Sequence, residues 1–286
     1  MKYLMIVILS VSLQLASDQS KTNNTDELNN EKQEQVSANV ALVKNGMDAL
    51  FQDFDEKATR KYFKADYIQH NPHVPTGLEA VIGLLPALKE ANFGYTTHRY
   101  IEDGDLVLTH TTYHNAEVFG ANKVVAFDIW RIEDGKIAEH WDSIIPLYKE
   151  TASGRTQTEG ATEIVDKEKT AANKKLVRSF VQEVLIGEKL TKMRDYLNSQ
   201  EIYDQHNPVV GDGPDALAKA MGSIKNNKIH RIIGEGNFVL SQSEGTLDGK
   251  PLAIYDLFRV SNGYIVEHWD VLQEIPAKMA HSNSMF

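Results

Sequence analysis

The chain has 286 residues, 42% of them hydrophobic, with a formal charge of −10 and no cysteine. This length suits two domains of ordinary size with real cores. The acidic balance excludes a general nucleic-acid binder, whose partner's phosphates demand clustered Lys and Arg, and the lack of Cys excludes disulfides and thiol catalysis.

In chain order, Met1-Lys2, the apolar run Tyr3 to Leu15 and the small residues Ala16-Ser17 form an export signal over 1–17. That run is too short to span a bilayer, and no basic amphipathic run suggests membrane-surface binding. Residues 18–35 are rich in Asn, Gln, Lys, Glu and Ser, and are expected to be disordered. A first domain is expected over 36–148. Val36, Val40, Val43, Met47, Leu50, Phe51 and Phe54 form a helical stripe, and a short helix is expected from Gly77 to Glu90. Strands follow at Thr96–Ile101, Leu106–Ala116, Lys123–Ile132 and Ile137–Ile145, the last two joined at Asp134-Gly135, which favours a tight hairpin.

Residues 149–166 are polar and broken by Gly154 and Gly160, as expected of a linker. The same order then returns over 167–279. Leu176, Phe180, Val184, Leu190, Met193 and Leu197 form the helical region, and a helix is expected from Gly213 to Ser223. Strands are expected at Ile229–Ile233, Phe238–Thr246, Leu252–Val260 and Ile265–Leu272, with Asn262-Gly263 between the last two. Residues 280–286 form a tail. Motifs repeat as well: Tyr67-Ile68-Gln69-His70-Asn71-Pro72 returns as Tyr203-Asp204-Gln205-His206-Asn207-Pro208, and Glu139-His140-Trp141-Asp142 as Glu267-His268-Trp269-Asp270. A period this long implies two complete domains rather than a solenoid. Helices followed by hairpin-linked strands imply an α+β domain, helices packed on a curved antiparallel sheet.

Asp128 and Asp256 are the leading candidates for chemistry. Each sits within an apolar strand, Asp128 sharing its face with Trp130 and Ile132. Desolvation there raises a carboxyl pKa toward the range of a general acid or base; the competing reading is a structural hydrogen-bonded Asp. His110 and His114 share one face of the preceding strand, as proton shuttles or oxyanion donors or as solvated strand histidines. The second repeat has Gln242 for His110, and only Thr246 near the place of His114. That asymmetry nominates the first repeat as the one retaining a full proton-transfer set.

His70 and His206 follow a helical region in the repeated Gln-His-Asn-Pro, as a structural turn or at a cavity mouth. His140 and Asp142 share one face of the last strand, as do His268 and Asp270, either facing the pocket or serving a strand-end network around a packed Trp. No metal is expected: there is no HExxH, and His110 and His114 converge poorly on a strand. No nucleotide-binding or nucleophile-elbow motif is present.

The combination of a helical start, Tyr-x-Gln-His-Asn-Pro, x-Asp-x-x-Arg, Asp/Asn-Gly and Ile-x-Glu-His-Trp-Asp resembles the SnoaL-like (polyketide cyclase-like) group of the NTF2-like superfamily. The resemblance implies two tandem cone-shaped, cystatin-like α+β domains, each with an apolar cavity. It implies ring closure by intramolecular aldol condensation without metal or cofactor, with an acid/base Asp on the strand before the final hairpin and a His on the preceding strand. Asp128 and Asp256 match that Asp, and His114, then His110, match that His. The expected function is therefore exported, cofactor-free acid–base chemistry (aldol cyclisation, isomerisation or dehydration) on a small apolar carbonyl compound. The alternative is a non-catalytic module binding a small hydrophobic ligand. The two domains are expected to pack together as a homodimer of single-domain relatives does.

Overall fold

The structure, a computed structural model, describes residues 37–197 and 203–286. The export signal read at 1–17 and the polar segment at 18–35 lie outside these residues. Among the described residues no helix is long and apolar enough to cross a membrane.

Helix α1 (Ala38–Phe51) turns Val43, Met47 and Leu50 into the core at helical spacing. Asp55 starts α2 (Glu56–Tyr62) as an N-cap, its carboxylate accepting from the Ala58 N–H at 3.0 Å. Strand β1 (Phe63–Gln69), helix α3 (Leu78–Glu90), and strands β2 (Gly94–Asp103), β3 (Leu106–His114), β4 (Lys123–Glu133) and β5 (Lys136–Pro146) complete the first repeat. The second has α4 (Thr170–Phe180), running into a π-helical turn over Val181–Ile186, then α5 (Met193–Tyr196), β6 (Asp204–Gln205), α6 (Gly213–Ala220), β7 (Ile224–Glu235), β8 (Phe238–Leu247), β9 (Lys250–Ser261) and β10 (Tyr264–Glu274).

The strand orders match: β1-β5-β4-β3-β2 and β6-β10-β9-β8-β7. The four expected strands of each repeat are antiparallel neighbours, but β1 and β6 add to the edge in parallel with β5 and β10. The sheets are therefore mixed rather than purely antiparallel, and the helical region ends before β1 rather than at His-Asn-Pro. Parallel pairing needs a long crossover and leaves no hairpin signature in sequence; β6 is also only two residues long. The expected hairpins form at Asp134-Gly135 and Asn262-Gly263, with positive φ at all four positions.

Each sheet is covered on both faces. One face packs against its own helices, through Val43, Met47, Phe63, Tyr67 and Trp130 in the first repeat and Val177, Phe180, Tyr203 and Phe258 in the second. The other faces meet each other in a shared core containing Phe127, Ile129, Trp141, Tyr255, Leu257 and Trp269. The contacts across it are reciprocal: the Arg99 guanidinium lies over Trp269, 4.2 Å from a ring centroid, and Arg231 lies over Trp141 at 4.0 Å.

The segments read as linker and tail are packed straps, each closing over the other repeat's Gln-His-Asn-Pro. After the first repeat, Ala152 N donates to Pro208 O, Ser153 Oγ to Gln205 O, and His206 Nδ1 to Thr156 O at 2.6 Å. After the second, Ala280 N donates to Pro72 O, Asn283 Nδ2 to Gln69 O, and His70 Nδ1 to Ser284 O at 2.5 Å. Gly160 lets the first strap pass: at φ +96°, a Cβ there would sit 2.0 Å from Glu267 Oε1 and 2.8 Å from Trp269. Polar composition reads as a linker, but the straps bind through backbone groups and through the Ser153, Arg155 and Asn283 side chains, whose partners composition does not reveal.

Candidate functional site

Strand alternation and register assemble the site. Asp128 stands opposite Thr109 on β3 and Asp142 on β5, and Trp130 stands opposite His140. All therefore project from the helix-covered face of the sheet. Asp128, Asp142, Trp130 and His140 line a cavity of about 510 Å³, mouth included, with Tyr67, Gln69, Asn71, Tyr113 and apolar side chains from α1 and α3.

His140 is locked in place. Gln69 Oε1 accepts from the backbone N–H groups of both His70 and Asn71, each at 2.9 Å, which identifies this atom as the oxygen. His140 Nδ1, 3.0 Å from the same oxygen, must donate to it. The ring stacks on Trp130, centroids 3.9 Å apart, and directs Nε2 at Asp128 Oδ1, 3.1 Å away. An unprotonated Nε2 would set its lone pair against an ionised carboxylate, so Asp128 and His140 share one proton. Asp128 Oδ2 accepts from Thr109 Oγ1 at 3.2 Å and from Tyr113 Oη at 3.1 Å. Both oxygens of Asp128 are thus engaged.

Asp142 is different. Asn71 Nδ2 donates to its Oδ2 at 2.7 Å, while its buried Oδ1 has no partner among the described residues. Burial, reinforced by the neighbouring Asp128 and opposed by His140 and Asn71, pushes its pKa up to about 6. Tyr67 Oη accepts from Gln69 Nε2 at 3.4 Å. Burial, with the nearby Asp142 and Asp128 charges, holds the Tyr67 pKa well above 10, so its O–H stays protonated.

The second repeat rebuilds this arrangement. His268 Nδ1 donates to Gln205 Oε1 at 3.0 Å, His268 Nε2 meets Asp256 Oδ1 at 3.1 Å, and Asn207 Nδ2 holds Asp270 at 2.7 Å. Burial likewise raises Asp270 to about 6. The cavity around them measures about 480 Å³.

Several expectations need correction. His110 and His114 do not join Asp128: β3 pairs in register with β4, which sends even-numbered β3 side chains to the opposite face. His110 lies in the interdomain core, its Nδ1 accepting from Arg99 NH1 at 3.0 Å, and burial drives its pKa well below 6.5. The same arginine donates to the strap carbonyls of Thr158, Glu159 and Ala161. Gln242, in the place of His110, accepts from Arg231 at 2.6 Å, so the His-to-Gln exchange belongs to the interface, not to a lost active site. His114, at the outer end of β3, pairs with Thr96 Oγ1 at 3.1 Å and does not line the cavity. His70 and His206 stack on Trp141 and Trp269, contact Glu139 and Glu267, and pin the straps.

Asp128, His140, Asp142 and Trp130 do meet at one cavity. Gln69, Asn71, Tyr67, Thr109 and Tyr113 are functional neighbours that sequence reasoning passed over. The first three lie within the repeated Tyr-x-Gln-His-Asn-Pro, so the signal was present; Thr109 and Tyr113 follow only from strand register. The expectation of no metal rests on the missing HExxH motif and on the poor convergence of His110 and His114, yet another trio converges. One donor atom each from Asp128, His140 and Asp142 lie within 4.8 Å of one another, as do those of Asp256, His268 and Asp270. A metal there would have to displace the proton shared between His and Asp, because Nδ1 is already committed to the glutamine.

The SnoaL-like domain family matches residues 44–140. The match lies within the first repeat, and the second repeat is an α+β body with the same strand order and the same Asp-His-Asp set. No curated protein sequence matches the chain. Among solved structures, TsrD from Streptomyces laurentii is 22% identical, covering 39% of this chain and 91% of that one, with a TM-score of 0.33. An NTF2-like protein of unknown function from Cytophaga hutchinsonii ATCC 33406 is 18% identical, covering 40% and 95%, with a TM-score of 0.32. A Bacillus cereus ATCC 10987 protein provisionally named a polyketide cyclase is 17% identical, covering 40% and 78%, with a TM-score of 0.33.

Proposed function

We propose that the first domain carries out cofactor-free acid–base chemistry on a small apolar carbonyl compound, of the aldol, isomerisation or dehydration type, in an exported protein. One observation carries this reading: Asp142 offers a single unpartnered carboxylate oxygen to an apolar cavity, with a pKa near 6. A base whose pKa lies close to working pH combines availability with driving force. In the proposed step, Asp142 Oδ1 removes the proton α to the carbonyl. The C–H electron pair becomes the new C=C bond and the carbonyl π pair moves to oxygen, where the Tyr67 O–H stabilises the charge. The neutral Asp128–His140 pair adds no net negative charge beside the developing enolate, and Gln69 keeps it in register. Asp128 thus becomes a positioning residue, and Asp142 takes the proton-transfer role that strand polarity and the family resemblance gave to Asp128. The sheet-to-sheet pairing would supply within one chain what two copies of a single-domain relative supply to each other.

The test is proton exchange. Full-length protein in D2O is incubated with a panel of small cyclic and aromatic ketones, and α-deuteration is followed by NMR. Exchange above the buffer rate that is lost in Asp142→Asn and retained in Asp270→Asn supports the proposal. Exchange unchanged by Asp142→Asn contradicts it. Saturable ketone binding without exchange would favour the alternative, a binding module, which the apolar lining also suits.

A further inference from the structure

The two cavities share their Asp-His-Asp set but differ in how many polar atoms they leave open. In the first, Tyr113 and Thr109 occupy Asp128 Oδ2. In the second, register places Ser241 opposite Asp256, and Gly245 on the same strand face four residues further along, where the first repeat has Thr109 and Tyr113. Ser241 turns its hydroxyl to Ser243 at 3.0 Å, and Gly245 has none. Asp256 Oδ2 is left buried with no partner among the described residues. Across the sheet, Tyr113 pairs with Tyr95, whose hydroxyl donates to Asp48 at 2.7 Å, whereas Gly245 pairs with Asn226, whose Nδ2 is buried and unpartnered. Asp256 is 5% exposed and Asn226 8%, and both line the same cavity. Tyr203 Oη, at the same wall, is also unpartnered. The mouths differ too: residues 115–122, which bring Phe119 to the first cavity, are replaced by the two-residue turn Asp248-Gly249.

A buried carboxylate oxygen and a buried amide N–H, both unmet, each carry a desolvation cost that an apolar ligand would leave in place. A molecule that presents a hydroxyl to the first and a carbonyl oxygen to the second relieves both. We propose that the second cavity is a separate binding site for a hydroxylated carbonyl compound with an apolar body. The hydroxyl donates to Asp256 Oδ2 and the carbonyl accepts from Asn226 Nδ2. A site built to hydrogen-bond a substrate hydroxyl rejects the analogue lacking it far more strongly than an apolar pocket rejects a missing methylene. The two halves of the chain therefore take different molecules. This inference does not depend on turnover in the first domain.

Calorimetric titration of the full chain with matched probes tests it: 2-hydroxyacetophenone against acetophenone, and benzoin against deoxybenzoin. The expected result is at least tenfold tighter binding of one hydroxy ketone over its partner. That preference should be lost in Asp256→Asn and kept in Asp142→Asn, while Asn226→Leu, which removes the donor to the carbonyl both members share, should weaken both members of the preferred pair by a similar factor. Asn226→Leu should also melt no lower than the unaltered protein, since it removes an unmet buried donor; should it fail to fold, Asp256→Asn carries the test. No saturable binding of either hydroxy ketone, equal binding within both pairs, preference surviving Asp256→Asn, or undiminished binding in a folded Asn226→Leu overturns the proposal.

Discussion

Two cavities cut from one plan can be read against each other. Both hold a histidine whose Nδ1 is fixed by a glutamine and whose Nε2 meets an aspartate, and both hold a second aspartate raised to about 6 by burial. In the first, β3 contributes a threonine and a tyrosine that satisfy Asp128, leaving Asp142 Oδ1 as the open oxygen. In the second, serine and glycine leave Asp256 Oδ2 open instead. The shared part fixes a proton-sharing pair inside an apolar pocket; the part that differs decides which carboxylate oxygen faces a ligand. Divergence by one hydroxyl and one ring is enough to change what each cavity asks of its occupant.

The sharpest way to break this comparison is Asp142→Asn. If the first cavity works as proposed, α-proton exchange should fall by about a thousandfold, roughly 4 kcal/mol of barrier, while Asp270→Asn leaves it within a factor of two. Equal losses in both variants would mean that the cavities are not independent.

Next in size are the glutamines. Gln69→Leu orphans the Asn71 N–H and His140 Nδ1, the His70 N–H keeping His140 O as its acceptor; Gln205→Leu does the same to Asn207 and His268, the His206 N–H keeping His268 O. With each orphaned buried group costing about 1–3 kcal/mol, each change should remove about 3 kcal/mol or more in denaturant unfolding. A marked inequality would show that one triad is less tightly built.

The pH dependence is smaller. Asp142 and Asp270 have folded pKa values near 6, above the ordinary 3.8. A raised carboxyl pKa means that the folded state holds its proton more tightly than the unfolded state does. Its stabilising contribution is fully present below about pH 4 and is lost as pH rises through 6, by about 2–3 kcal/mol per group. Asp142→Asn should therefore raise the melting temperature at pH 8 and leave it nearly unchanged at pH 4, and Asp270→Asn should do likewise.

The smallest expected effect sharpens the role of Tyr113. Tyr113→Phe removes one hydrogen bond to Asp128, should cost about 1 kcal/mol, and should make the first cavity bind 2-hydroxyacetophenone more tightly. Loss of stability without any gain in binding would separate the open oxygen from ligand choice.

Much of this architecture is legible in the sequence. The duplicated motifs, the Asp-Gly and Asn-Gly hairpins and the alternation around Asp128 led to two α+β bodies, with Trp130, His140 and Asp142 at the site. The strands β1 and β6 are not legible, because a parallel edge strand has no hairpin to mark it and β6 is only two residues long. His110 and His114 misled because alternation within one strand gives its two faces but not which face meets which on its neighbour. Their absence from the second repeat then looked like a lost catalytic pair. In fact His110 serves an interdomain arginine, a long-range contact no local pattern encodes. The straps were hidden for the same reason: Ser284 and Thr156 act through carbonyl oxygens, which every residue carries.

The central claim about the sites is that one buried carboxylate in each cavity, Asp142 in the first and Asp270 in the second, titrates close to neutrality. Carbon-13 NMR titration of aspartate-labelled protein between pH 4 and 8 tests it directly. The expected result is two side-chain carboxyl resonances with midpoints near 6, one absent in Asp142→Asn and the other absent in Asp270→Asn. Titration of every aspartate below pH 5, or persistence of both midpoints in the two variants, would contradict it.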